Sequence, residues 1–365
     1  MIPVDSIRSR HDTPAGRVVI YGANGYTGRL IARQAVSREL FPVLAGRNRE
    51  TISQMAGEYG LAWRQADLDR PGTLLQTLDG VGVVIHCAGP FSHTARPMVR
   101  ACLEAGVHYL DITGEYAVFE DLARLDGAAK ACGIMVMPGA GFDVVPSDCL
   151  AAHLASRLPG AMDLKLAFAG LGGGMSRGTA KTMIEGLGYG GAIRRNHRIQ
   201  RVPAGHKTRV IDFGGRSLTT VAIPWGDIST AWHSTGIPNV EVYMAVTPAM
   251  LRFMTISNTM GGLFRTGLVR CLLKALVDRL PAGPSEASRQ QARSFLWGQA
   301  TDEAGAVRVS RLETPEGYTL TALTAVAAAE KIIGGQASLG FQTPSRAFGA
   351  DFILEIPGCE RIDVR

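Results

Sequence analysis

Up to Met137 the chain alternates between short, nearly continuous apolar runs and longer stretches whose apolar positions recur every three or four residues. The runs are Val18 to Tyr21, Phe41 to Asn48, Leu61 to Gln65, Val81 to Cys87, Val107 to Ile112 and Ile134 to Met137. Leu30, Ile31, Ala35 and Val36 mark the first intervening helix, and further helices are expected near 48–58, 95–105 and 116–131. A strand buried on both faces shows no polar alternation. Such runs separated by helices predict an α/β fold built on a doubly wound, Rossmann-type parallel sheet.

Beyond Asp148 the pattern changes. Asp163 to Ala169 alternates as a strand with one wet face, and strand-like stretches follow at 209–213, 218–223, 240–246, 307–312 and 318–324. Pro315-Glu-Gly317 reads as the turn between the last two. A second, α+β domain with a mostly antiparallel sheet is expected. The resulting division is a loose polar tail over 1–16, a nucleotide-binding domain over 17–150, a substrate or dimerisation domain over 151–340, and a C-terminal return to the first domain over 341–365.

The amphipathic stretch from Met250 to Leu280 is the most apolar long segment, but Arg252, Arg265, Arg270, Lys274, Asp278 and Arg279 interrupt it. No uninterrupted run is long enough to span a bilayer. Helices that close over an apolar substrate or pack against a second subunit in a homodimer are expected there, rather than membrane contact.

Composition narrows the class. At 365 residues two domains are the natural prior, and 46% hydrophobic with 19% charged residues is ordinary for a soluble globular chain. Six cysteines, at 87, 102, 132, 149, 271 and 359, form no C-x-x-C pair and no metal-ligand spacing. Reduced thiols in a cytoplasmic protein without a bound metal are expected. The net charge of +6 lacks a basic tract interleaved with stacking aromatics, which argues against nucleic acid. The charge is concentrated in Arg194, Arg195, Arg198, Arg201, Lys207 and Arg209. These read as a solvated hairpin, or as a docking surface for an acidic acyl carrier protein.

The first strand runs into Gly22-Ala-Asn-Gly-Tyr-Thr-Gly28, where a helix starts. In a dinucleotide site the first glycine permits the turn, the second lets backbone approach a pyrophosphate, and the third lets helix and sheet pack closely. Gly22, Asn24, Gly25, Tyr26, Thr27 and Gly28 are therefore candidate cofactor contacts, with the helix N-terminus offering N–H groups to phosphate. NAD sites commonly end the second strand in an acid that binds the ribose. Here Gly46-Arg47-Asn48 ends it, so Arg47, with Asn48, is expected to select the 2′-phosphate of NADP(H), unless the arginine only solvates a helix start. Asp67 either lies beside the adenine or caps the next helix. Ala88, Gly89, Pro90 and Phe91 end the fourth strand with small residues that leave room for a nicotinamide. A second glycine loop, 170–179, leads to Arg177 and Lys181 and is either an interdomain joint or an anion site.

Tyr21-Gly-Ala-Asn-Gly-Tyr-Thr-Gly28, Leu44-Ala-Gly-Arg-Asn48, Gly89-Pro-Phe91, Ala101-Cys-x-x-Ala-Gly106, Tyr109-x-Asp111-x-x-Gly-Glu115 and Gly141-Phe-Asp-x-x-Pro-Ser-Asp148 together resemble the saccharopine dehydrogenase-like oxidoreductases. The resemblance continues in Ile223-Pro-Trp-Gly-Asp227, Ser234-Thr-Gly-Ile-Pro-Asn239 and Gly340-Phe-Gln-Thr-Pro344. That family includes saccharopine reductases and trans-acting enoyl reductases. It implies an NADP(H)-dependent reductase with substrate held between two domains. No tyrosine has a lysine four residues later, which sets the short-chain dehydrogenases aside. Asp143, Glu115 and Tyr116, near strand ends, are the candidate proton handlers; each could instead cap or pack. The apolar and basic segments favour an activated C=C bond on a lipid-like or carrier-bound acyl group. Imine or amino-acid reduction of the saccharopine type is the alternative, and a non-catalytic NADP(H)-binding sensor or scaffold is a third.

Overall fold

Strand β1 (Val18–Tyr21) is buried on both faces: Val18 and Ile20 enter one core, Val19 and Tyr21 the other. This is the central-strand environment that its unbroken apolar run predicts. In the computed structural model, which describes residues 18–259 and 261–364, β1 lies near the middle of a seven-stranded parallel sheet. Its neighbours on one side are β2 (Val43–Gly46) and β3 (Trp63–Gln65). On the other lie β4 (Val83–His86), β5 (His108–Asp111) and β6 (Met135–Met137). Helices α1 (Tyr26–Ser37) and α2 (Arg49–Tyr59) cover one face; α3 (Pro71–Leu78), α4 (Phe91–Ala105), α5 (Tyr116–Ala123) and α6 (Asp126–Ala131) cover the other. The expected tail over 1–16 lies outside the described residues.

Helix α7 (Val145–Arg157) leads into a second, mixed sheet. Its centre is β7 (Asp163–Leu171), followed in sequence by α8 (Arg177–Gly186), the hairpin β8 (Gly191–Arg195) and β9 (Arg198–Val202), and β10 (Thr208–Asp212) with β11 (Ser217–Ala222). Helix α9 (Asp227–Thr235) precedes β12 (Asn239–Ala245), which pairs parallel to β7; the other pairings in this sheet are antiparallel. Helices α10 (Pro248–Thr259), α11 (Gly261–Phe264), α12 (Gly267–Val277) and α13 (Glu286–Gln291) come next. Then β13 (Arg293–Thr301) inserts between β7 and β14 (Val307–Pro315).

Two expectations need correction. Tyr318 to Thr324 is not a strand: it lies in α14 (Gly317–Ile333), and Glu316 begins that helix rather than turning a hairpin, accepting hydrogen bonds from the N–H groups of Tyr318 and Thr319 at 3.0 Å each. Helix α14 packs on α1 and its apolar residues join the core beneath the first sheet. Arg194 is likewise not part of a solvated hairpin face. It is 3% exposed, donates to the carbonyls of Ile228 and His197 at 2.6 Å each, pairs with Glu120, and lies over the Trp232 ring.

The chain end visits both sheets. Strand β15 (Gly340–Phe341) adds to β6, α15 (Pro344–Phe348) packs on α7, and β16 (Glu360–Asp363) pairs with β14. A continuous core under the first sheet, through α14 and α7 to β12, β13 and β14, joins the two halves.

Candidate functional site

Parallel strands put all their carboxyl ends at one edge, so the loops after β1, β2, β4, β5 and β6 converge there. The turn after β1 shows why glycine is needed at three places. Gly22 has φ +79°, and a Cβ on it would stand 2.9 Å from Ala88 Cβ after β4. A Cβ on Gly28 would stand 2.4 Å from the Gly22 carbonyl oxygen, and one on Gly25 3.2 Å from the same atom. Helix α1 begins at Gly25 with no side-chain cap and no acid in its first turn. Its first N–H groups, those of Tyr26, Thr27 and Gly28, therefore lack intrahelical acceptors and face a ligand position with the positive dipole end. A dinucleotide pyrophosphate fits this cradle.

Arg47 follows β2 at the same edge and is exposed, with no side-chain hydrogen bond or ion pair among the described residues. Its charge tends to lower the Tyr21 phenol, which burial nonetheless raises to about 12. Arg49 instead lies over the Trp63 ring at 5.6 Å, and Asn48 is the N-cap of α2, accepting from Thr51 N–H at 3.1 Å. Asn24 donates to Thr51 Oγ1 at 3.3 Å. Asp67 holds its own loop, its Oδ1 accepting from Asp69 N–H at 3.2 Å.

Tyr26 faces the other domain. Its hydroxyl donates to the Pro284 carbonyl at 2.6 Å and accepts from Arg289 at 2.9 Å, while its ring meets Tyr318 edge-on at 5.1 Å. The Tyr318 hydroxyl in turn accepts from Ser176 N–H at 2.7 Å. Tyr26 thus clamps the glycine turn to the second domain. The loop over 170–179 is drawn in by this clamp, but Arg177 and Lys181 are occupied: the first reaches the Asp278 carbonyl and the second its carboxylate at 2.5 Å. They are not gathered with the other site residues.

Past β4, Ala88 abuts Gly22 and the Gly89–Pro90 peptide is cis. Phe91 opens α4, and both N–H groups at that helix start, Phe91 and Ser92, donate to the Glu115 carboxylate at 2.8 and 3.2 Å. Glu115 is thereby a cap holding the Ala88–Phe91 loop. Tyr116 is the first residue of α5, and its ring packs against the main core.

Asp143 stands apart from these. Among the described residues its carboxylate makes no hydrogen bond; it lies against Gly114, where an added Cβ would sit 2.7 Å from Oδ2. Its side chain stays partly exposed, though protein surrounds it closely. Burial, reinforced by the Glu115 charge, pushes its carboxyl up to about 7. The Trp225 indole N–H donates to the Asp143 carbonyl at 2.8 Å, and Trp225, Phe168 and Phe142 form a half-exposed aromatic row, with centroids 4.9 and 6.0 Å apart. Pattern reading passed over this row because its members come from three separate elements. The motifs Gly141-Phe-Asp143 and Ile223-Pro-Trp-Gly-Asp227 held two of its members without relating them.

Three buried aspartates from the same motifs serve the frame. Asp111 accepts from Tyr109 hydroxyl and the N–H groups of Thr113 and Gly139 at 2.7–2.9 Å, tying the β5 and β6 loops together, and burial raises it to about 6. Asp148 binds Ser234 and the Ser345 N–H, which docks α15 on α7; Asp227 accepts from Ser147 at 2.7 Å. Burial raises both carboxyls.

Residues 18–137 match the family model described as the saccharopine dehydrogenase NADP binding domain. That match takes in about a third of the chain, so the likeness to this family lies in the first domain. It is 24% identical over 211 residues to the saccharopine dehydrogenase-like oxidoreductase of Homo sapiens, covering 51% of this chain and 49% of that protein. To a trans-acting enoyl reductase of Mycobacterium ulcerans it is 31% identical over 150 residues, 38% of this chain and 35% of the other. The chain thus spans about half or less of the length of these curated relatives. Its fold is similar to that of apo saccharopine dehydrogenase (L-Glu forming) from Saccharomyces cerevisiae, with a TM-score of 0.66 at 13% identity over 96% of this chain and 100% of that one. The first domain is accordingly of the NAD(P)-binding kind.

Proposed function

We propose that the chain is an NADP(H)-dependent reductase that adds hydrogen across an activated C=C bond of a lipid-like or carrier-bound acyl substrate. The observation that carries the reading is the steric glycine cradle at an uncapped helix start, with an unpaired arginine at the end of β2 where an acid would favour NAD. Gly22, Gly25 and the N–H groups of Tyr26 to Gly28 would hold the pyrophosphate, Arg47 the 2′-phosphate, and Ala88 to Phe91 the nicotinamide end. NADPH, when bound, supplies the hydride.

Reduction of a C=C bond also requires a proton at the neighbouring carbon. Asp143 is suited to deliver it, because a carboxyl raised to about 7 still carries a proton near neutrality. Glu115 serves by holding the α4 loop and by keeping Asp143 protonated. The aromatic row of Phe142, Phe168 and Trp225 beside Asp143 supplies an apolar wall, and among the described residues no unpaired charge cluster of the kind an amino-acid substrate needs adjoins it. The β8–β9 hairpin leaves Arg195, Arg198 and Arg201 exposed, which suits an acidic carrier.

The test is a substrate panel followed by absorbance at 340 nm. NADPH consumption with α,β-unsaturated thioesters supports the proposal. Consumption only with a keto acid plus an amine would replace it with imine reduction, and tight NADPH binding without consumption in either panel would replace it with a sensor.

A further inference from the structure

The segment from α10 to α12 is anchored at few points and leaves its large apolar side chains in water. Ser257 is the single buried residue of α10 and α12 has none. Phe253 and Ile256 on α10 are 49% and 54% exposed, and Leu268, Leu272 and Leu276 on α12 are 83%, 63% and 50% exposed. The three leucines are four residues apart and so lie along one side of their helix. Met250, Leu263 and Leu280 extend the exposed set. Large apolar side chains left exposed on successive helices of a folded chain mark an interaction face.

Charge decides what covers it. Between 248 and 280 there are five basic residues, Arg252, Arg265, Arg270, Lys274 and Arg279, against the single acid Asp278. Arg270 and Lys274 are bound by Glu185 of α8, and Asp278 is bound by Lys181. Arg252, Arg265 and Arg279 stay exposed in the same segment, Arg265 donating to the Gly261 carbonyl and lying over the Tyr189 ring. In a two-fold dimer the face would meet its own copy, setting arginines against arginines with no free acid to receive them. An anionic lipid surface satisfies both features: its phosphates accept the arginines, and its acyl boundary takes the leucines and Phe253.

We infer that α10–α12 form a peripheral docking face for anionic membrane surfaces, against the initial expectation of substrate closure or dimerisation by this segment. No described helix is long and apolar enough to cross a bilayer, so the contact is interfacial. The inference does not depend on which substrate is reduced.

The experiment is co-sedimentation of the full chain with vesicles of phosphatidylcholine alone and with added phosphatidylglycerol. Binding is expected to be at least tenfold stronger to the anionic vesicles and to weaken with salt. The double variant Leu268→Asp with Leu272→Asp, on exposed positions, should lose at least tenfold in vesicle affinity while keeping NADPH affinity. Arg252→Gln with Arg279→Gln should lose roughly tenfold or more on anionic vesicles only, at roughly fivefold per cation. Absence of vesicle binding by the parent chain, or leucine variants that bind as well as the parent, would overturn the proposal. So would a dimer in light scattering that Leu272→Asp splits into monomers, since the face would then be a subunit interface.

Discussion

Replacing Gly28 with alanine inserts one methyl group between α1 and the turn before it. That carbon would stand 2.4 Å from the Gly22 carbonyl oxygen, 2.8 Å from Ala23 Cα and 3.0 Å from the Ala23 carbonyl oxygen. All three are backbone atoms, so no side chain can turn aside; helix and loop must separate. Alanine normally gains up to ~1 kcal/mol over glycine in a helix, whereas overpacking of this kind costs about 1–3 kcal/mol. A net loss of up to about 2 kcal/mol is expected, seen as a fall of a few degrees in Tm. The same separation draws N–H groups away from the phosphate. Losing one hydrogen bond to a charged group, about 1.5–3 kcal/mol, weakens NADPH roughly tenfold to a hundredfold. Gly57→Ala in α2 is the matched control, because an added Cβ there meets no atom within 4 Å. It should raise stability by up to ~1 kcal/mol and leave NADPH unaffected. Thermal unfolding by circular dichroism and calorimetric titration read both effects. If Gly28→Ala raised Tm as Gly57→Ala does and bound NADPH within twofold of the parent, the steric argument for the cradle would be refuted.

Arg47→Ala should weaken NADPH by roughly tenfold to a hundredfold, the loss of a charge-assisted contact to the 2′-phosphate, and change NADH little; equal losses in a binding titration would remove Arg47 from that role. Because Asp143 acts in its protonated form, turnover should fall as pH rises through about 7, and Asp143→Asn should abolish this limb together with most activity while NADPH binding persists. The carboxyl is raised on folding, so its ionisation penalty is absent below the unfolded value near 4, grows between there and about 7, and is fully present above. Asp143→Asn should therefore melt higher than the parent at pH 8 and much the same at pH 4; the opposite order would mean that the aspartate is stabilised as an anion. Glu115→Gln keeps at most one of two contacts to the α4 start, should cost about 1–2 kcal/mol, and should move the Asp143 limb to lower pH; an unmoved limb would uncouple the two carboxyls.

Local chemistry made the first half readable. A strand buried on both faces must be apolar throughout, and a turn in which Cβ atoms would strike carbonyls must be glycine, so β1, its turn and the end of β2 were visible at once. The family motifs placed Asp143 and Glu115, but their division of labour was not visible, because a cap between Glu115 and Phe91 joins two loops by contacts that spacing does not encode. Tyr318 to Thr324 was misread for a definite reason. Its threonines alternate with apolar residues, which mimics a strand, whereas in the fold they lie within a buried helix. Thr321 and Thr324 give their hydroxyl hydrogens to the carbonyls of Gly317 and Leu320, four residues back. A helix enclosed by core loses the 3.6-residue polar stripe that pattern reading needs. Arg194 misled similarly: only the tertiary fold brings Glu120 and Trp232 to it.

The most direct single measurement is isothermal titration of the folded chain with NADPH and with NADH. Saturable heat at one site per chain, with NADPH roughly tenfold or more the tighter ligand, is predicted; no heat with either coenzyme would contradict the nucleotide cradle and everything built on it.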